Sequence, residues 1–308
     1  MIIVEVNGGL GNQLQQYAMY EKLKSLGKEV KLDLSWYSRR EMGKATRREL
    51  ELDYFPKVTY EACTPEEKQQ ILGSSSFLAK ALRKLHLAPN RRYTEYRMYD
   101  TSVFDLDNCV MTGYWACEGY YRDILPALRR KLAFPASDNP ANQSMKERMG
   151  NTNSVSLHLR RGDYLEPVNQ ELYGGICTDA YYEAAIRYIK ERVENPVFYI
   201  FSDDPDYAGE YMSKIGGQQA DSIKFELVNL NHGKDSFFDM ELMSNCRCHI
   251  CANSTFSFWG ARLNGREDRI VIRPLKQRNN VDWYEPSRMK ELWQNWVCID
   301  EEGAVRAE

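Results

Sequence analysis

The sequence predicts an α/β protein of two doubly wound domains, and three observations predict it. Short apolar runs such as IIVEV (2–6), SVSLHLR (154–160) and PVFYIFS (196–202) alternate with stretches of helical period. Several runs end in glycine, serine or charged residues, the pattern of strands that give way to ligand-binding loops at the carboxyl edge of a parallel sheet wrapped on both faces. A length of 308 residues fits two domains of roughly 150.

The elements follow in order. IIVEV reads as a strand, NQLQQYAMYEKLKSLG (12–27) as a helix stopped by Gly27, and EVKLDL (29–34) as the next strand, so the chain opens β–α–β. From 36 to 92 the pattern is irregular, with helices expected from the Pro-Glu-Glu at 65–67 and over 74–89. YTEYRMY (93–99) and NCVMTGYWA (108–116) read as strands, and 118–134 as a helix broken or kinked near Pro126. PASDNPANQS (135–144) is the best linker, with a boundary near 135–152. The second half is more regular, with strands at 154–160, 196–202, 224–228, 248–252 and 268–273. Helices are expected at 178–193 behind the cap residue Thr178, at 204–216, at 234–245, and at 255–265 opened by Asn253 and Ser254.

With 43% hydrophobic and 28% charged residues, the chain has material for a sizeable core and is not disordered. The amino terminus lacks the basic start, apolar core and cleavage site of a secretory signal, and no run reaches the roughly 18 apolar residues of a membrane span. Eight scattered cysteines suit a reduced, cytoplasmic protein rather than a disulfide scaffold. Cys246, Cys248 and Cys251 stand as C-x-C-x-x-C around His249, but the tract is apolar and lacks a second pair, so a buried strand is expected and a metal site is the rival. The net charge of -3 hides 23 basic against 19 acidic residues in 1–150 and 18 against 25 in the remainder. Basic clusters at Arg39, Arg40, Lys44, Arg47 and Arg48, at Lys80, Arg83, Lys84, Arg91 and Arg92, and at Arg129, Arg130 and Lys131 read first as solvated faces. Peripheral contact with an anionic membrane, or with a charged lipid-linked substrate, is their functional alternative. A pI near 6.0 argues against nucleic acid.

Chemistry concentrates where three strands of the second half end. In HLRRGDY (158–164) the adjacent guanidiniums of Arg160 and Arg161, beside flexible Gly162, form a diphosphate site, with salt bridges to Asp163 and its neighbours as the alternative. In ANSTFSFWGA (252–261) Asn253, Ser254 and Thr255 open a helix and offer donors to phosphate oxygens, or serve only as its cap. In FSDDPDY (201–207) Asp203 and Asp204 would accept from a ribose hydroxyl or from the paired N–H edge of guanine; a helix cap and a divalent-metal site are the rivals. The Asp-Leu-Asp at 105–107 reads as a turn. GGLGNQ (8–13) resembles a phosphate loop but lacks the G-x-G-x-x-G spacing, which argues against nicotinamide binding.

GGLGNQLQQYA (8–18), HLRRGDY and LMSNCRCHICANSTFSFWGARL (242–263) together resemble the bacterial and animal α-1,2-fucosyltransferases, which are related to O- and α-1,6-fucosyltransferases through H-x-R-R-x-D. The resemblance implies a GT-B architecture, two Rossmann-like domains facing across a cleft, with 1–145 on the acceptor side and 146–308 binding GDP-β-L-fucose. It implies inverting, metal-independent transfer to the 2-hydroxyl of a terminal β-galactoside, GDP-fucose being a substrate and no cofactor being needed. Arg160 and Arg161 match the motif arginines, with Arg160 to stabilise the leaving diphosphate. His158 and Asp163 flank them, and Asp163 or Glu166 would take the acceptor's proton. Asp203, Asp204, Ser254 and Thr255 match the GDP pocket, and Asn12 and Gln13 the amino-terminal G-N-Q facing the donor. Gln15 stands where the family has an aromatic residue and Phe258 where it has tryptophan, departures that bear on the pocket wall and the acceptor.

Overall fold

The computed structural model describes residues 1–38, 48–73, 76, 90–218 and 223–308. The helix expected at 74–89 and the basic residues Arg39, Arg40, Lys44, Arg47, Lys80, Arg83 and Lys84 lie outside them. The chain divides into two compact units, Met1–Ala133 and Phe134–Glu308.

The first unit opens β1 (Ile2–Glu5), α1 (Leu10–Ser25), β2 (Val30–Asp33). Both strands pair in parallel, Ile2 opposite Val30, because the crossover helix returns the chain to the same edge. Gly27, at a φ of 78°, turns it after α1. Thr64 caps α2 (Pro65–Leu72) with a capping box to Glu67, and Ile71 packs on Ile3 and Val110. β3 (Arg92–Thr94) and β4 (Cys109–Thr112) complete a four-stranded sheet of order β2-β1-β4-β3, parallel throughout. Two expectations change here. The strand expected at 93–99 is three residues long, and 118–134 holds two 3-10 turns before α3 (Leu125–Lys131). The helix read over 118–134 is thus broken just before Pro126, not kinked at it, and the proline sits in the first turn of α3, its missing N–H falling where a first turn has no partner anyway.

In the second unit the stretch 135–152 is not a bare linker. Asn139 accepts the N–H of Ala141 at 3.0 Å and caps α4 (Pro140–Gly150). Met145 and Met149 on that helix are buried with Tyr199, Phe201, Leu242 and Met243. Then come β5 (Asn153–Leu159), α5 (Pro167–Tyr173), α6 (Asp179–Lys190), β6 (Pro196–Ser202), α7 (Pro205–Gln218), β7 (Lys224–Val228) and α8 (Phe237–Asn245). They are followed by β8 (Cys248–Ile250), α9 (Thr255–Leu263), β9 (Val271–Pro274), α10 (Pro286–Leu292), β10 (Val297–Ile299) and β11 (Val305–Ala307). The sheet order is β11-β10-β9-β8-β5-β6-β7, parallel except for the β10–β11 edge pair. Alternation along β6 sends Phe198 and Ile200 to the face covered by α6 and Tyr199 and Phe201 to the face covered by α4 and α8. This is the doubly wound α/β arrangement the sequence predicts. Among the described residues no helix is long and apolar enough to cross a membrane.

Candidate functional site

β5 and β6 pair in register, Leu159 opposite Ser202, so Arg160 and Asp203 leave the sheet side by side at its carboxyl edge. The Arg160 guanidinium bridges two carboxylates, Nη2 lying 2.5 Å from Asp163 Oδ1 and Nη1 2.8 Å from Asp203 Oδ2. It also sits over the Tyr164 ring, 5.4 Å from its centre. Burial works against the charge, but Asp203 and Asp163 outweigh it and raise the pKa further, so Arg160 stays cationic.

Arg161 is held separately. Its backbone N–H donates to Asp203 Oδ1 at 2.8 Å, its Nε donates to Asp204 Oδ2 at 3.2 Å, and its guanidinium stacks 3.8 Å from the centre of the Tyr207 ring. Asp204 Oδ1 accepts the Tyr207 N–H at 3.1 Å in the first turn of α7. Asp203 and Asp204 thus position the two arginines, and Asp204 also serves as the helix cap that was one of the sequence alternatives. A Cβ on Gly162 would stand 2.2 Å from Asp203 Oδ2, so glycine is what lets the motif close on this carboxylate.

His158, inside β5, is buried and its carbonyl accepts the Tyr182 hydroxyl at 2.8 Å. Burial, reinforced by Arg160, brings its imidazole pKa down to about 3, so it is neutral and adds no positive charge to the edge. Asn253 is buried too. Its Nδ2 donates to the carbonyls of Tyr173 (3.1 Å) and Gln277 (3.2 Å), and its Oδ1 accepts the Cys177 thiol. The side chain locks three loops together. Ser254 Oγ accepts the Phe256 N–H at 3.3 Å and caps α9, and Thr255 is the first residue of that helix. The Tyr164 hydroxyl donates to the Asn253 carbonyl at 3.2 Å, which joins the arginine motif to the Asn-Ser-Thr turn. The structure therefore gathers His158, Arg160, Arg161, Asp163, Asp203, Asp204, Asn253, Ser254 and Thr255 at one sheet edge. Sequence reasoning assigned no role to Tyr164 or Tyr207, although both close quoted motifs; an aromatic residue a few positions from an arginine was the available signal for Tyr164, while Tyr207 lies 46 positions from Arg161 and carried none.

Asn12 and Gln13 belong to the first unit. Gly8 has a φ of 80°, and a Cβ on it would lie 2.6 Å from Asn12 Nδ2. Gln13 points inward: its Nε2 donates to the carbonyls of Gly8 (3.1 Å) and Glu49 (2.8 Å), and its Oε1 accepts the N–H groups of Glu51 (2.8 Å) and Leu52 (3.2 Å). Gln15 donates to the Tyr114 carbonyl at 3.1 Å, and Gln16 accepts the Asn7 N–H at 3.0 Å while donating to the Gly113 carbonyl at 3.1 Å. Gln15, in place of an aromatic residue, is part of a row of buried amides tying α1 to three loops.

The cysteine tract runs through β8. His249 accepts from Asn264 Nδ2 at Nε2 (2.8 Å), which leaves Nδ1 to donate to Ser156 Oγ at 2.9 Å. Both ring nitrogens are thus used within the protein. Among the described residues no group of three His, Cys, Asp or Glu side chains is placed to hold a metal ion.

Residues 1–300 match Glycosyl transferase family 11. An alpha-1,2-colitosyltransferase of Escherichia coli is 32% identical over 97% of this chain and 99% of its own length. The O-antigen biosynthesis glycosyltransferase WbnK of Escherichia coli is 31% identical over 96% of this chain and 99% of its own. A galactoside alpha-(1,2)-fucosyltransferase 1 of Ateles belzebuth is 31% identical over 36% of this chain and 29% of its own.

Proposed function

Because this chain belongs to Glycosyl transferase family 11, we propose that it transfers L-fucose from GDP-β-L-fucose to the 2-hydroxyl of a terminal β-galactoside, with inversion and without a metal. The product would be an α-1,2-fucosylated surface glycan. The observation that carries this reading is the pair Arg160 and Arg161, fixed by Asp203 and Asp204 at the carboxyl edge of a parallel sheet.

In this reading the acceptor oxygen attacks C1 of fucose from the face opposite GDP, and the C1–O bond to the diphosphate breaks. Negative charge builds on the leaving diphosphate, and Arg160, already charged and oriented, stabilises it. Arg161 holds a second phosphoryl oxygen, and Ser254 and Thr255 supply donors at the start of α9. His158, buried and neutral, backs the pocket, while Asn253 keeps the turn in place. The acceptor's proton passes to Asp163 or Glu166. Asn12, beside Gly8, is the donor-facing residue of the first unit's own loop in this proposal, while Gln13 acts through the loop it closes. A cytoplasmic location with basic patches touching the membrane belongs to the same proposal.

A second reading is favoured by the full-length similarity to a colitosyltransferase. Colitose is L-fucose without its 3-hydroxyl, so the same phosphate site would serve GDP-colitose. Transfer assays with both donors onto a panel of β-galactosides separate the two. Arg160→Ala should lower kcat/KM by roughly 10²-fold with the fold retained, the loss of one transition-state donor of about 3 kcal/mol. Activity abolished by a chelator and restored by manganese would overturn the metal-free mechanism.

A further inference from the structure

A cavity of about 700 Å³ lies wholly within the first unit, at the carboxyl end of β2, and nothing in the transfer chemistry above uses it. Asp33 lines it from the end of β2 and Ser38 from the turn that follows, Lys68 and Gln69 from α2, and Asn90 and Arg91 from the approach to β3. That volume is in the range of roughly 300–1,000 Å³ typical of small-molecule sites.

Among the described residues the charges around it do not balance. Lys68 Nζ binds Glu5 at 2.7 Å and also binds Asp33, and Arg92 Nη1 binds the two Glu5 oxygens at 3.1 and 3.2 Å. Two acids and two bases cancel. Lys68 holds both Glu5 and Asp33 below the usual carboxylate range against the effect of burial, so both are ionised. Arg91, half-buried on the same wall, has no acidic partner among the described residues. Among the described residues the cavity is therefore lined by one guanidinium without an acidic partner, together with the amides of Asn90 and Gln69 and the hydroxyl of Ser38. A guanidinium offers a planar fork that matches a carboxylate or a phosphoryl group. Amides and hydroxyls match the alternating donors and acceptors of a sugar ring.

We propose that this cavity binds an anionic saccharide, Arg91 pairing with a carboxylate or phosphoryl group carried on a sugar ring whose hydroxyls meet Asn90, Gln69 and Ser38. It is the subsite for an acidic portion of the glycan that the enzyme modifies. The assignment rests on glycosyl transfer but not on which sugar the donor carries.

Saturation-transfer NMR on the full chain tests it with four probes: glucuronate, glucose 1-phosphate, glucose and inorganic phosphate. Glucuronate and glucose 1-phosphate should bind at least tenfold more tightly than the other two. Arg91→Ala should abolish that preference while leaving GDP affinity unchanged; Arg91→Gln, closer in size and still polar, provides the same readout should the alanine variant fold poorly. Glucose binding as tightly as glucuronate, inorganic phosphate as tightly as glucose 1-phosphate, or a preference that survives both substitutions would each overturn the assignment. Absence of turnover with GDP-fucose alongside an intact Arg91-dependent preference would remove the donor assignment and leave the cavity standing; normal turnover without the preference would do the reverse.

Discussion

Gln13→Ala asks whether the amino-terminal G-N-Q motif touches substrate or holds the fold. Gln13 is fully buried and uses both ends of its amide, twice each, to join the Gly8 turn to residues 49–52. Truncation removes four hydrogen bonds and leaves two backbone N–H and two C=O groups without that partner. At about 1 kcal/mol net for each bond the loss is about 4 kcal/mol, a large fraction of the roughly 5–15 kcal/mol that folded domains possess. Urea denaturation should report it, and hydrogen exchange should show the Glu51 and Leu52 amides losing protection first. Below the shifted midpoint the KM for the donor should stay within a few-fold of wild type. A loss under about 1 kcal/mol with those amides still protected, or a donor KM raised tenfold at unchanged stability, would refute the reasoning and put Gln13 on the substrate.

Three further outcomes are expected. Gly162→Ala places a Cβ against Asp203 Oδ2, moves that carboxylate off Arg160 and should lower kcat/KM by about tenfold with little change in Tm; steady-state kinetics with unchanged activity would contradict the close approach. Asp239, whose Oδ1 accepts from Asn231 at 2.7 Å, is pushed up to about 7 by burial although that bond opposes the shift. Its protonated form is thus the one the fold prefers, and the associated stability, full below the ordinary aspartate pKa, is lost as pH rises through about 7. Asp239→Asn should gain roughly 2–4 kcal/mol over wild type at pH 8 compared with pH 4, and equal differences in denaturation midpoint at the two pH values would count against it. His249, held near a pKa of about 3 by burial and by Arg269, contributes stability above its ordinary value of 6.5 that drains away as pH falls towards 3. His249→Gln should flatten the loss of stability between pH 6.5 and 4, and parallel curves would exclude the effect.

Strand and helix positions were most legible where the period was long and clean. SVSLHLR and PVFYIFS became β5 and β6, and Thr178 caps α6 by accepting the Tyr181 N–H at 3.2 Å. Short elements escaped: α5 and α10 are seven residues each, and β10 and β11 three each, too short to show a period. Of the linker read at 135–144, residues 135–139 lie outside any helix or strand, next to the division between the two units, and the remainder is α4, since asparagine before proline is also how a helix begins. At the site, the residue types were readable but their partners were not. Asp203 and Asp204 were recognisable as acids at a strand end, and only the β5–β6 register shows that both face arginines. Asn253 has the composition of a phosphate-binding turn, yet its amide is consumed by Tyr173 and Gln277, residues 80 and 24 positions away in the chain.

That register has a consequence for how such enzymes diversify. Since Arg160 and Asp203 are adjacent through ladder hydrogen bonds, the polypeptide after Tyr164 can vary around its tie from Asn169 Nδ2 to the Asp163 carbonyl at 2.9 Å without unseating them. Chimeras carrying a relative's 165–175, with Asn169 kept, should retain the Arg160–Asp203 pair. The sheet edge works as a fixed socket against which a variable segment is mounted.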